Sequence, residues 1–259
     1  VVCFRAFVCI SLGLRSYALR VFLFLEEIMK SFTKFELGLW AVSVSVVTAS
    51  FIIGGNFRVL TLIASLIGVT ALIFVAKGDV TGQALTLVFS VFYAVISCTF
   101  RYYGEMITYM FMSAPIALMS VIEWIRHPFS EEKQEVEVNH IGKKETIFML
   151  LLSAAVTAVF YFILKFFNTA NLPVSTLSVT TSFLASYLMF RRCAFYALAY
   201  AANDCVLIAL WIYASMHDAS YLPMIICFAV FFVNDIYGFI NWKRMGMKQK
   251  NMRLHISEI

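Results

Sequence analysis

The stretch Val59–Arg101, VLTLIASLIGVTALIFVAKGDVTGQALTLVFSVFYAVISCTFR, decides the fold class. It contains an apolar run from Val59 to Ala76, then only Lys77, Gly78 and Asp79, then a second run from Val80 to Phe100. A bilayer core needs about 20 apolar residues per helical crossing, so each run reads as a span and the three residues between them as a tight turn. The same reading extends along the chain to Leu37–Phe57, Met106–Ile122, Thr146–Leu164, Val174–Phe190, Cys193–Ala214 and Leu222–Ile240, each bounded by charges, prolines or polar residues. The result is an all-α integral membrane protein with eight transmembrane helices. Composition agrees: of 259 residues 62% are hydrophobic and 14% charged, against about 25% charged in soluble domains. The mean hydropathy is +0.86. A water-soluble globule is excluded, and the length leaves no room for a separate soluble domain.

Phe4 to Leu25 is apolar but carries Arg5, Arg15 and Arg20. At about 100° per residue the three arginines share an arc of about 140°, the pattern of an amphipathic helix. It is read as an interfacial helix on anionic headgroups, with a ninth, peripheral span as the alternative. Pro173 and Pro223 stand at helix starts, where the missing N–H is harmless, whereas Pro115 lies inside a span and predicts a kink. Counting Lys and Arg on alternate sides of eight spans puts seventeen of the twenty on the side of the termini, which places both termini in the cytoplasm.

The net charge of +5 is distributed between apolar runs rather than along a stripe, so a nucleic-acid partner is not indicated. The six cysteines lie inside apolar stretches without paired spacing, and the four histidines are scattered. No disulfide framework, zinc site, H-E-x-x-H or phosphate-binding loop is signalled. No enzymatic machinery and no cofactor are expected.

Sliding the chain on itself by 118 residues superposes Trp124 and Arg126 on Trp242 and Arg244, Tyr103, Met106 and Ile107 on Tyr221, Met224 and Ile225, and Ser97 on Ser215. The offset pairs the spans beginning at Val59, Val80 and Met106 with those beginning at Val174, Cys193 and Leu222. One span lies between the triplets, so they run parallel through the membrane, a 3+1+3 core. The expected organisation is 1–36 N-terminal interfacial segment, 37–57 extra span, 58–126 first three-helix bundle, 127–165 loop and linker helix, 166–242 second bundle and 243–259 cytoplasmic tail.

The segments GQALTLVFSVFYAVISCTFRYYGEMITYM (Gly82–Met110), NTANLPVSTLSVTTSF (Asn168–Phe183), YALAYAANDCVLIALWIY (Tyr196–Tyr213) and FFVNDIYGFINWKR (Phe231–Arg244) resemble the nicotinamide riboside transporters of the PnuC family. The likeness covers about Val59 to Met245; the N-terminal helix and the extra span depart from the minimal family pattern. It implies a fold similar to the SWEET sugar transporters. It also implies facilitated diffusion without ion coupling or ATP, a homotrimer, a place in the bacterial cytoplasmic membrane, and a cytoplasmic kinase that traps the substrate by phosphorylation.

Nicotinamide riboside joins a cationic pyridinium to a polyhydroxylated ribose, so its site needs aromatic faces and amide or carboxyl groups. Asn203 and Asp204 lie near the middle of one span, Asn234 and Asp235 within another. An ionisable side chain at midplane costs roughly 2.5 to 3.5 kcal/mol on insertion scales, so these pairs are the leading site candidates, interhelical bonding being the structural alternative. Tyr200 and Trp211 flank the first pair and Tyr237 follows Asn234 by about one turn. Tyr93, Ser97, Gln83 and Thr180 complete the candidate set. Trp124 and Trp242, at span ends beside arginines, read as interfacial anchors, and Glu36 and Glu105 as solvated span ends. The leading function is a riboside uniporter. A carrier of another vitamin such as thiamine or riboflavin, and a membrane scaffold or enzyme, are the alternatives.

Overall fold

Eight helices long and apolar enough to cross a membrane are present among the described residues. The structure is a computed structural model and describes residues 32–54, 59–100, 102–130, 133–169 and 171–257. The expected amphipathic helix over Phe4–Leu25 lies outside these. The helices are α1 (Lys34–Ile53), α2 (Val59–Ala76), α3 (Val80–Thr99), α4 (Tyr103–Arg126), α5 (Lys143–Phe166), α6 (Leu172–Phe190), α7 (Tyr196–Ser215) and α8 (Leu222–Ser257). The chain divides into two units, residues 1–42 and 43–259. In the first, Thr33 and Glu36 form a reciprocal capping box at the start of α1, with Glu36 Oε2 accepting from Thr33 N at 2.7 Å and Thr33 Oγ1 accepting from Glu36 N at 3.2 Å. Glu36 is therefore committed to the helix terminus and buried, not the solvated charge its position suggested.

In the second unit, local chemistry sets the helix ends. Gly78 takes a left-handed φ of 72° to turn the chain after α2, and Asp79 caps α3 through a 2.8 Å bond from Thr81 N. At Pro115 the helix departs from regular α-helical bonding. The missing N–H is accommodated by a π-helical turn at Tyr109–Ser113 within α4, where Ala114 N donates to Tyr109 O.

Six helices close into a ring. α2 packs on α3, α3 on α4, α4 on α6, α6 on α7, α7 on α8, and α8 returns to α2, while α5 packs on the outside of α6. α5 presents Leu151, Phe162 and Phe166 outward, each more than 60% exposed, the surface expected of a helix whose neighbour is lipid.

The connection after α4 forms a short antiparallel hairpin, β1 (Pro128–Ser130) with β2 (Lys133–Val136). This connection ties the ring together at one end. Val136 N donates to Gly78 O at 3.0 Å in the α2–α3 turn, and Asn139 N to Arg192 O at 2.9 Å in the α6–α7 turn. Helix α8 continues well past the expected end of its span at Ile240, because Gln249 bridges the connection, accepting from Val138 N at 2.8 Å and donating to Val136 O at 3.0 Å. Arg253 adds an ion pair with Glu137.

Trp124 and Trp242 are fully buried at this end, with ring centroids 5.4 Å apart. Interfacial anchors face lipid headgroups; these two face each other across the ring, which corrects the sequence reading. Trp242 Nε1 donates to Val75 O at 2.8 Å, and Trp124 Nε1 to Met189 O at 3.3 Å. The two acceptors are the penultimate residues of α2 and α6. They also accept the turn amides of Gly78 and Arg192, both with left-handed φ.

Candidate functional site

The polar groups inside the ring exist because five helices each turn a small polar face inward. On α6 the buried serines 175, 178, 182 and 186 recur at spacings of three and four, one helical stripe. Helix α7 contributes Tyr200, Asn203, Asp204 and Trp211, α8 contributes Asp235, and α3 and α4 contribute Tyr93 and Tyr109. Between them lies a cavity of about 70 Å³, lined on its polar side by Ser90, Tyr109, Ser113, Ser182, Tyr200, Asn203, Asp204 and Asp235 and on its apolar side by Phe89, Phe228, Phe231, Val75 and Met189.

Asp204 and Asp235 lie side by side, both buried, and Asp204 Oδ2 has no hydrogen-bond partner. Asn203 is held from α6: its Oδ1 accepts from Thr181 Oγ1 at 2.8 Å and Ser182 Oγ at 2.9 Å, and its side chain faces the Tyr109 hydroxyl. Tyr200 and Ser186 share a 3.1 Å hydroxyl contact. No lysine, arginine or histidine is among the described residues lining the cavity.

Towards the end opposite the tryptophan pair, Trp211 Nε1 donates to Tyr93 OH at 3.1 Å. Trp211 also packs against Tyr102, Tyr221 and, edge to face, Phe100, with centroids 5.1, 5.6 and 6.0 Å away. Tyr93 lies 4.3 Å from Tyr109. The cavity thus sits between two aromatic closures.

Four of the expected site residues, Asn203, Asp204, Asp235 and Tyr200, meet at the cavity, and Tyr93 and Trp211 cover it. Ser97 is buried near that cover without a partner. The others lie elsewhere. Asn234 donates to Ser43 Oγ at 3.1 Å and to Val230 O at 2.8 Å, so it faces α1. Thr180 bonds Thr157 on α5 at 2.8 Å. Gln83 is buried near the start of α3, with Nε2 unpartnered. Tyr237 is half-buried and off the cavity wall. Sequence reading missed Tyr109, Ser182 and the three phenylalanines. The serine stripe on α6 was the available signal, since its period selects Ser178 and Ser182 over Thr180. It also missed Glu105, which is buried rather than solvated.

Outside the spans, Arg191 and Arg192 follow α6. The Arg191 guanidinium is raised above its usual pKa by its hydrogen bond to Glu145, and burial pulls Arg192 down against the opposing charges of Glu123 and Glu137. Arg192 reaches Glu123 at 3.4 Å and Glu137 at 3.7 Å, linking the α6–α7 turn to α4 and to the connection after it.

The family model described as "Nicotinamide mononucleotide transporter" matches residues 58–244. The chain belongs to that family. A curated relative from Neisseria mucosa, the "Nicotinamide riboside transporter PnuC", is 23% identical over 224 residues, covering 85% of each chain. A solved structure titled "Crystal structure of the Vitamin B3 transporter PnuC" superposes with a TM-score of 0.74 at 22% identity, over 85% of this chain and 94% of the other. The fold is thus that of a PnuC transporter, a multi-pass membrane protein, and the family is one of transporters rather than enzymes. The matched region contains every ring helix except the extension of α8 beyond Arg244.

Proposed function

We propose that the chain carries nicotinamide riboside, rather than its mononucleotide, by facilitated diffusion through the centre of the six-helix ring. The observation that supports this choice most directly is the cavity lining: two adjacent carboxyl groups, hydroxyls and aromatic rings, with no basic side chain among the described residues. Carboxylates attract a pyridinium cation and oppose a phosphate dianion, and a phosphate site is normally built from Arg, Lys or helix N-termini. Ser182, Asn203 and Tyr200 offer the donors and acceptors that ribose hydroxyls and a carboxamide need.

Ligand pockets hold roughly 300 to 1,000 Å³, far more than the closed cavity, so substrate enters only when the helices part at one end. Alternating access follows if the Trp211 cover and the Trp124–Trp242 pair open in turn. The two bundles, 58–126 and 166–242, are read as a parallel repeat joined by the linker over 127–165, with 37–57 as an additional span. Tyr93 and Trp211 are 118 residues apart and bonded; Trp124 and Trp242 are 118 apart and in ring contact. Residues related by a two-fold axis meet their own counterparts only on that axis, so both contacts support an axis running through the cavity along the membrane normal. The distribution of Lys and Arg supports cytoplasmic termini in a bacterial inner membrane, with the tryptophan pair at the cytoplasmic end. Net uptake then depends on a cytoplasmic kinase that phosphorylates the riboside, and the assembly is taken as a homotrimer.

The test is uptake of labelled riboside into proteoliposomes of the purified protein. Downhill equilibration is expected, with weak competition by the mononucleotide, and Asp204→Asn or Asp235→Asn is expected to narrow that discrimination. Concentration above equality under an imposed proton or sodium gradient, or equal competition by the mononucleotide, thiamine or riboflavin, would overturn the reading.

A further inference from the structure

Glu105 occupies the first turn of α4, one turn from Tyr109, which lines the cavity. It is buried, and its Oε2 has no hydrogen-bond partner. Among the described residues no cationic side chain pairs with it. In adjoining segments, two further buried oxygens are unpartnered: Ser97 Oγ on α3 and Thr169 Oγ1 in the α5–α6 turn. Ser178 lies beside the carboxyl group. Tyr102 N bonds Ser97 O at 2.8 Å, and a Cβ on Gly104 would fall 2.5 Å from Thr169 Cγ2, so both oxygens belong to segments adjoining Glu105. Tyr93, Tyr102 and Tyr109 are within electrostatic reach of Glu105.

A carboxyl group with unpartnered oxygens around it needs a reason to persist, since an unsatisfied buried polar group is costly and rare. Simple packing would select an apolar residue here, and the interhelical bond to Ser178 accounts for only part of the group, leaving Glu105 Oε2 and the Ser97 and Thr169 hydroxyls unpaired. A temporary ligand supplies the reason. The ligand this chemistry suits is a flat organic cation bearing hydroxyls: the carboxyl group meets its charge, the tyrosines its faces, and the serine and threonine oxygens its hydroxyls. Asp204 and Asp235 lie deeper, beyond Tyr93 and Tyr109.

We propose that Glu105, with Ser178 and Ser97, forms a second cation station on the Trp211 side of the ring and selects the charged nicotinamide ring before it reaches Asp204 and Asp235. This rests on the riboside reading above. It assigns charge selection to a residue that does not line the central cavity.

The experiment compares nicotinamide riboside with its dihydro form, whose ring is uncharged while ribose and carboxamide are kept. Initial uptake rates of both are measured in proteoliposomes with the wild type, Glu105→Gln, Glu105→Asp and Ser178→Ala, using only protein that elutes as the native oligomer. Wild type is expected to prefer the cation. Glu105→Gln is expected to lose about tenfold of the cation rate, as for removal of one partly screened charge, while the dihydro rate stays unchanged; Glu105→Asp recovers part of the preference. An unchanged ratio in Glu105→Gln, or equal loss of both rates, overturns the assignment and leaves the riboside reading standing. Transport of neither compound by wild type overturns the riboside reading itself. If Glu105→Gln does not elute natively, Glu105→Asp and Ser178→Ala decide: a reduced cation preference in both supports the station, and a wild-type ratio in both refutes it.

Discussion

Trp242→Phe is expected to loosen the closure formed by the buried tryptophan pair. In the closed ring the Trp242 indole donates to Val75 O at 2.8 Å and its ring lies 5.4 Å from that of Trp124. Val75 O also accepts from Gly78 N at 2.9 Å, so removing the indole N–H leaves no carbonyl stranded. Only the net value of one hydrogen bond is lost, about 0.5 to 1.5 kcal/mol. The smaller ring keeps part of the ring contact, and losing the rest adds about 0.5 to 1 kcal/mol. A total of about 1 to 2.5 kcal/mol raises the open population roughly 5- to 60-fold. Cys193 reports it, because it is free, only 2% exposed and packed in the same cluster as both tryptophans. In a background retaining Cys193 as the single cysteine, the maleimide labelling rate is expected to rise in proportion to the open population. A rate within about twofold of the parent, in this variant and in Trp124→Phe/Trp242→Phe, would show that the pair is static packing with no part in opening.

Asn203→Leu strands the buried Ser182 hydroxyl, whereas Thr181 falls back on the carbonyls of Leu177 and Ser178. A riboside hydroxyl or carboxamide group left facing the leucine in the closed cavity is then unpaired as well, an expected loss of about 1 to 3 kcal/mol, read by titration calorimetry as a roughly 5- to 150-fold weaker affinity for the riboside. Asn234→Leu, whose contacts are to Ser43 and its own helix, is expected to bind as wild type in the same experiment. Gly82→Ala places a Cβ 2.4 Å from Val75 N, a backbone atom that cannot yield. It is expected to cost about 1 to 3 kcal/mol, seen as a lower melting temperature in detergent. Gly246→Ala, whose Cβ meets only the Val138 side chain at 3.3 Å, is expected to leave the melting temperature unchanged or raised. Arg192 has φ 57°, so Arg192→Gly and Arg192→Ala lose the same ion pairs but differ in backbone strain. The alanine variant is expected to be less stable by about 1 kcal/mol, measured by thermal unfolding of the two side by side.

The eight spans were legible because lipid imposes one requirement, an unbroken apolar run with its backbone bonds satisfied internally, and charges mark where each run stops. Val59–Ala76 coincides with its helix and Val80–Phe100 exceeds its own by one residue. Only α8 was badly underestimated, because its polar continuation is held by Gln249 and Arg253 against a distant connection. The polar pairs on α7 and α8 were legible for a related reason, since charges at midplane depth have to be accounted for by function or by partners.

What could not be read from the chain was direction. A span that is apolar on nearly every side does not announce which face meets protein and which meets lipid. Asn203 and Asn234 sit in the same Asn-Asp context, yet the first faces the cavity and the second faces Ser43. Thr180 and Ser182 are two residues apart, and a helix turns about 200° in that interval, so one meets α5 and the other the cavity. Trp124 and Trp242 stand beside arginines in a pattern that suits lipid headgroups equally well, and only ring closure turns them onto each other. The sequence alone determined that this chain lives in a membrane, how often it can cross, and which polar residues need explaining. Which of those residues face one another was decided by contacts between helices, across separations from 21 to 191 residues, because burial of a polar group depends on what the neighbouring helix offers it rather than on its own position in the span.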